Sequence, residues 1–347
     1  MANTKNEFQL KFFIVYLICL FLILEGTARL YLCFRYKINP LNPGRTISSF
    51  YPELFPAADH QIVPDDAFFD VLLLGASVVN YRISDIDRRL VEGLTEQLGR
   101  KVRIFNLSKF AHSSRDSLMK YQFLRDKSFD LVLIYHGINE VRSNNIPAHL
   151  FKSDYSHCPF YERVNTFNRH QEISFVVFPW LVHDLIINMK QRFSPDNYIP
   201  FEQPRAGWLR YGKELKATES FKQNFEDIIN IAAAKNEPIV LSTFAYYLPE
   251  QYSRQNFEGG LLDYTPGEQA VPAEIWGHPQ NVVSGLDAHN TVIENLRDMP
   301  GQIIFVDQRK LIPASGDYFI DICHFSPKGN QQFINNIISP VVDFFRP

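Results

Sequence analysis

The sequence holds only four cysteines, Cys19, Cys33, Cys158 and Cys323, and no two of them form a CxxC pair. That argues against a zinc ribbon or a thioredoxin-type redox site. There is no excess of positive charge either. The formal net charge is −3 and no basic patch is interleaved with aromatics, so no nucleic-acid partner is expected. The sequence shows no internal repeat and no low-complexity tract. His157 with Cys158, and Cys323 with His324, lack metal-ligand spacing on one element, so neither a metal nor a cofactor is expected. Cys158 and Cys323 could still pair as one disulfide, a pairing that spacing alone cannot decide.

What is present is apolar. The 347 residues are 46% hydrophobic and 21% charged, enough for one large core or two ordinary ones. Thirty phenylalanines point to extra apolar surface, an acyl pocket or a membrane-facing rim. Residues 12–24, FFIVYLICLFLIL, form an unbroken apolar run, too short alone for the ~20 residues that span a bilayer. The apolar character resumes at Leu30, and Phe12 to Phe34 together is long enough. Glu25 and Arg29, four apart on one helix face, can pair near the membrane edge. Residues 1–37 therefore read as a signal anchor with a single membrane-spanning helix. A cleaved signal peptide, with Gly26 and Ala28 before the cut, and a buried core helix are the rival readings. Lys5 and Lys11 precede the segment and Arg29, Arg35, Lys37 and Arg45 follow it, so the positive-inside rule favours a cytoplasmic C-terminal flank.

Residues 38–66 carry Pro40, Pro43, Pro52, Pro56 and Pro64 and read as an extended linker. Strand and helix patterns then alternate. Strands are expected at 68–75, 102–106, 130–137, 238–244 and 302–307, and helices at 83–99, 114–126, 221–236, 283–298 and 326–345. That alternation predicts an α/β fold, a mostly parallel, doubly wound five-stranded sheet covered on both faces. Residues 67–347 make that domain. A segment at about 141–216, with Pro147, Pro159, Pro179, Pro195, Pro200 and Pro204, breaks the alternation and reads as an inserted lid or side wall.

In parallel sheets, sites form beyond the carboxyl ends of the strands. Four blocks lie there or in the final loop: GAS at 75–77, NLSKFA at 106–111, HGINE at 136–140 and DICHFSPKGN at 321–330. Each alone is ordinary turn chemistry. Together and in this order they resemble the SGNH/GDSL hydrolases, from about Asp70 to the C-terminus apart from the 141–216 insertion. The resemblance implies a flavodoxin-like fold and a catalytic set of Ser77, His324 and Asp321. It implies an oxyanion hole from the N–H of Ser77, the N–H of Ala111 and the side-chain amide of Asn139. Gly137, His136 and His112 lie beside the expected pocket as candidates for substrate contact, although structural roles for the two histidines are the commoner outcome. Three positions depart from the family pattern: Ala76 for the Asp of the GDS form, Ala111 for a usual Gly, and Glu140 for an Asp.

The chemistry fits those roles. A serine hydroxyl needs a base to take its proton, an Asp fixes the tautomer of that base, and a tetrahedral oxyanion needs preorganised donors. The expectation is a membrane-anchored serine ester hydrolase acting on an acylated lipid or glycan, with no protein partner legible. An acyltransferase using the same covalent step, and a catalytically inactive anchored binding protein, are the alternatives. The family's usual location places the domain outside the cytoplasm, against the cation count.

Overall fold

A computed structural model describes residues 2–62, 67–170, 175–199 and 204–346. Of the expected linker and insertion, residues 63–66, 171–174 and 200–203, with Pro64 and Pro200 among them, lie outside the described residues.

Every residue of β1 (Phe68–Gly75) after Phe68 is buried, as a strand covered on both faces requires. Its neighbours are β2 (Lys101–Asn106), β3 (Leu131–Tyr135), β4 (Ile239–Ser242) and β5 (Ile303–Val306). All pair in parallel, in the order β2-β1-β3-β4-β5. The expected five-stranded parallel α/β sheet is therefore what forms. The chain steps from β1 out to β2 and then returns to β3 on the other side of β1. The carboxyl ends of β1 and β3 flank that reversal, where ligand crevices of such sheets open.

Among the described residues the α-helices of ten residues or more are α1 (Ala2–Tyr36), α2 (Ile86–Leu98), α3 (Ser114–Phe123), α4 (Pro159–Arg169), α5 (Phe178–Phe193), α6 (Ala217–Ala234), α7 (Pro279–Leu296) and α8 (Pro327–Phe345). Alternate residues of β1 (Phe69, Val71 and Leu73) pack in one cluster with Leu90 and Leu94 of α2 and Ile334 and Ile338 of α8. The intervening Leu72 and Leu74 point to the opposite face by the two-residue period and are equally buried. α2 packs on α8, and α6 packs on both α3 and α7. Helix ends follow local chemistry. Ser326 caps α8 by accepting the Gly329 N–H at 3.2 Å, and Gly99 ends α2 in the left-handed conformation (φ 67°).

The chain forms two compact units, Met1–Pro52 with Ser156–Tyr198, and Glu53–Tyr155 with Ile199–Pro347. The second contains the sheet. The first contains α1, α4 and α5. The 141–216 segment, expected as one insertion, is thus divided between them: only 156–198 groups with α1. The linker also differs from an extended chain. Pro43–Thr46, Ile47–Phe50, Pro52–Leu54 and Phe55–Asp59 are short helical turns, with Thr46, Tyr51, Leu54 and Ala57 fully buried. The reason is positional. Pro43, Pro52 and Pro56 stand in first turns, where the missing N–H costs nothing.

α1 runs unbroken, and Gln9–Tyr36 within it, whose most apolar 18-residue window has mean hydropathy 2.1, is long and apolar enough to span a membrane. From Leu10 to Ile23 its large apolar side chains are mostly exposed. That does not fit the core-helix reading.

Candidate active site

β1 ends at Gly75, where a Cβ would stand 2.2 Å from Val79 Cγ2 and 3.2 Å from the Tyr135 carbonyl oxygen. Only glycine allows the chain to turn this tightly against β3. Ala76 is extended and Ser77–Val79 forms a single 3-10 turn, closed by the Asn80 N–H to the Ser77 carbonyl at 3.0 Å. The turn holds the Ser77 hydroxyl just past the strand end. Asn80 Nδ2 donates to the Ser108 carbonyl at 2.8 Å, and Asn106 Nδ2 donates to the Val79 carbonyl at 2.9 Å. The first two sequence blocks are thereby tied to each other.

The last block lies in the loop before α8. Phe319 and Phe325 form an isolated antiparallel bridge, and the Ile320 N–H donates to the His324 carbonyl at 2.9 Å. This tight turn brings Asp321 back onto His324. His324 Nδ1 lies 2.7 Å from Asp321 Oδ2, and His324 Nε2 lies 2.9 Å from Ser77 Oγ, across 247 residues of sequence. Asp321 Oδ1 accepts the Cys323 and His324 N–H groups at 2.8 and 2.7 Å, and Oδ2 also accepts the Val271 N–H at 2.9 Å. Burial alone would raise the Asp321 pKa. The neighbouring His324 and the bonds from His324 and Cys323 outweigh it and hold the carboxyl below its ordinary value. An ionised carboxylate so placed makes Nδ1 the protonated nitrogen, which leaves Nε2 free to accept from Ser77.

Asn139 stands in the first turn of the short helix Ile138–Val141, after β3. Its Oδ1 accepts the Trp276 indole N–H at 2.9 Å and its Nδ2 donates to the His112 carbonyl at 2.7 Å. With the oxygen occupied by a donor, the amide cannot flip, and one Nδ2 hydrogen remains for another acceptor. Ala111 is the third residue of a turn closed by the His112 N–H to the Lys109 carbonyl at 3.3 Å, with φ +62°. This is the left-handed region where glycine is the usual occupant, and the smallest side chain with a Cβ is tolerated. Glu140 accepts from the Ser114 N–H. The start of the Asn139 helix therefore braces the C-terminal side of the Ala111 turn, through His112 and Ser114. In this way the longer Glu140 arm finds a use.

Each of the three candidates for substrate contact has another partner. His136 is buried with Nε2 2.7 Å from Ser117 Oγ, and burial drives its pKa down to about 3. His112 is buried with Nδ1 2.7 Å from Lys120 Nζ; burial and then the Lys120 charge push its pKa well down. Lys120, fully buried, also donates to the Leu107 carbonyl at 2.6 Å and pairs with Glu53 at 2.8 Å. Both imidazoles are neutral parts of the scaffold. The Gly137 carbonyl meets His289 Nδ1 at 2.8 Å, and a Cβ there would stand 2.6 Å from the Phe244 ring. Gly137 is thus required by packing.

Cys323 Sγ lies 3.6 Å from His324 Nδ1, but burial and then the Asp321 charge push its thiol well up, so it stays protonated and unreactive. None of the four cysteines is in a disulfide, and no Cys158–Cys323 bridge forms. Donor atoms of Asp321, Cys323 and His324 lie within 4.8 Å of one another. A cation there would have to break the Asp321–His324 bond and deprotonate that thiol.

Trp276 is the residue that sequence reasoning missed. It lies in the loop before α7, buried, with its ring centroid 6.4 Å from that of His324. Nothing in the surrounding EIWGH marks it. Trp276→Phe removes the donor that fixes Asn139. The expected result is a fall in kcat of about five- to tenfold with KM nearly unchanged, one neutral hydrogen bond's worth. Steady-state kinetics on the folded variant check it; a lower melting temperature with unaltered kcat would assign Trp276 to packing alone.

No protein-family model matches the chain, and no curated protein matches it. Solved structures do. An acetylxylan esterase from Geobacillus stearothermophilus is 12% identical with TM-score 0.42, covering 78% of this chain and 93% of that one. A GDSL-like lipase from Bacteroides thetaiotaomicron is 14% identical with TM-score 0.41, covering 85% and 98%. An α/β hydrolase from the metagenome of Lake Arreo is 12% identical with TM-score 0.40, covering 80% and 96%. The chain is similar to these enzymes at identities that carry neither a substrate nor a residue's role across.

Proposed function

We propose that this chain is a membrane-anchored serine ester hydrolase of the SGNH/GDSL type. The observation that carries the reading is the line of hydrogen bonds from Ser77 Oγ through His324 to Asp321, at 2.9 and 2.7 Å.

In this reading His324 Nε2 takes the Ser77 proton as Oγ attacks the ester carbonyl carbon. The carbonyl oxygen becomes an oxyanion and is met by the N–H of Ser77, the N–H of Ala111 and the free Nδ2 hydrogen of Asn139. Collapse expels the alcohol, which takes its proton from His324. The acyl group is then on Ser77. A water, deprotonated by His324, attacks it, and the acid leaves with Ser77 restored. Asp321 stays ionised throughout and stabilises the imidazolium.

Anchoring rests on the length and apolarity of α1. The domain after it is assigned to the extracytoplasmic side, where the hydrolases it resembles usually work, since the opposing one-sided excess of cations is small. The substrate class is an acylated lipid or glycan at that surface. Short p-nitrophenyl esters test the reading: the purified chain releases p-nitrophenol with saturation kinetics, and a folded chain that turns over none of them contradicts it.

A further inference from the structure

α5 carries a second apolar surface, separate from the candidate site. Val182, Leu185, Ile186, Met189 and Phe193 recur at helical spacing along one face. They are left open: Ile186 is 53% exposed, Met189 58% and Phe193 78%. The opposite face is spent on the protein, with Trp180, Asp184 and Ile187 buried and Asp184 paired to Arg163 of α4 at 2.8 Å. Lys190 and Arg192 stand about 80° to either side of the apolar stripe, counting 3.6 residues per turn. Apolar centre and cationic shoulders are the pattern of a helix lying in a lipid interface.

The place of α5 in its unit decides what covers the stripe. The Glu25 carboxylate of α1 accepts the Val177 and Phe178 N–H groups at the start of α5, at 2.9 Å each from Oε2. Arg29 donates to Glu25 at 2.6 Å and to the Phe175 carbonyl at 2.6 Å. These bonds fasten the N-terminus of α5 to a fixed level of α1. From Leu10 to Glu25 α1 rises about 22 Å at 1.5 Å per residue, short of the ~30 Å hydrocarbon core. The remaining depth falls at Leu30, Tyr31 and Phe34, which are again exposed, and at the level where α5 begins. The Glu25–Arg29 pair can sit at that depth because each member is bonded on several sides.

We propose that α5 is a membrane-surface helix, with its apolar stripe in the acyl region of the leaflet through which the C-terminal half of α1 passes. The inference rests on the reading of α1 as membrane-spanning, and it makes the attachment two-helical. Lipid, rather than a second copy or another protein, is the occupant because α5 is tied to α1 at the level where the exposed apolar residues Leu30, Tyr31 and Phe34 resume, and cations flank its stripe.

The test uses the full chain, with Cys19, Cys33 and Cys158 changed to Ser, reconstituted in phosphatidylcholine–phosphatidylglycerol vesicles. Single cysteines at Ile186→Cys, Met189→Cys, Ile18→Cys and Gln255→Cys take an environment-sensitive NBD fluorophore; Cys323 is buried. Nitroxides are placed on the lipid near the headgroup or near the chain end. Shallow nitroxide is expected to quench Ile186 and Met189 on the order of twofold, as for a helix buried ~5–10 Å below the headgroups. Deep nitroxide quenches Ile18, and neither quenches Gln255. Aqueous iodide quenching at Ile186 and Met189 overturns the proposal. So does protection from both iodide and nitroxide, which would mean a protein covers the stripe. Loss of quenching at Ile18 would instead overturn the membrane-spanning reading of α1.

Discussion

Ser77→Ala is expected to lower kcat on p-nitrophenyl esters by about 10⁵–10⁶ while leaving the fold intact, by analogy with the loss of the nucleophile in serine proteases. Removing the hydroxyl removes the nucleophile hydrogen-bonded to His324 Nε2, so no acyl-enzyme forms. The turn itself does not depend on that oxygen. It is closed through the Ser77 backbone carbonyl and the Asn80 N–H, and Gly75 keeps its tight approach to Val79 and Tyr135. The stability cost is one buried hydrogen bond, about 0.5–1.5 kcal/mol. Residual turnover reflects the amide donors, which still polarise a bound carbonyl. Kinetics and a thermal melt on the same sample check both halves.

Asp321→Asn has the second largest expected effect, a fall in kcat of about 10⁴, the size seen when the orienting carboxylate of such a triad becomes an amide. The carboxylate accepts four N–H groups, from Cys323, His324, Val271 and the His324 ring. An amide can accept on one side only. Whichever way it turns, its NH₂ faces a donor: the two backbone N–H groups, or Val271 and Nδ1. The second arrangement pushes the imidazole proton to Nε2, where it blocks the Ser77 hydroxyl. The variant also changes the pH dependence of stability. The folded pKa of Asp321 lies below its unfolded value, so its stabilisation is present above the ordinary carboxylate range and is lost as pH falls through the folded pKa. Denaturation of wild type followed down that range shows the loss; in Asp321→Asn that contribution is gone and the slope is shallower.

The sheet was readable because its strands are buried on both faces and so appear as unbroken apolar runs. The run 68–75 coincides with β1, while 130–137 overshoots β3 by one residue before and two after. Those two extra residues, His136 and Gly137, are buried for reasons of the site's scaffold, and burial is what an apolar-run reading detects. The spacing DxxH was readable as a short loop able to fold Asp onto His. The partners of that loop were not, because Val271 and Trp276 come from a stretch without periodicity and meet it only in three dimensions. The prolines misled in a definite way. Pro43, Pro52 and Pro56 begin helical turns, and proline count cannot distinguish a helix start from an extended chain. The positive φ of Ala111 was foreshadowed by the glycine usual at that place. The neutral states of His112 and His136 follow first from burial, which depends on how α3 packs.

Trapping the acyl group tests the whole account most directly. The chain is mixed with a p-nitrophenyl ester, quenched in acid during turnover, digested and weighed by mass spectrometry. The account predicts one acyl group on the peptide that contains Ser77, lost again when the quench is delayed past substrate exhaustion. Turnover with the acyl group on another residue, or with the Ser77 peptide unmodified at every quench time, would contradict it.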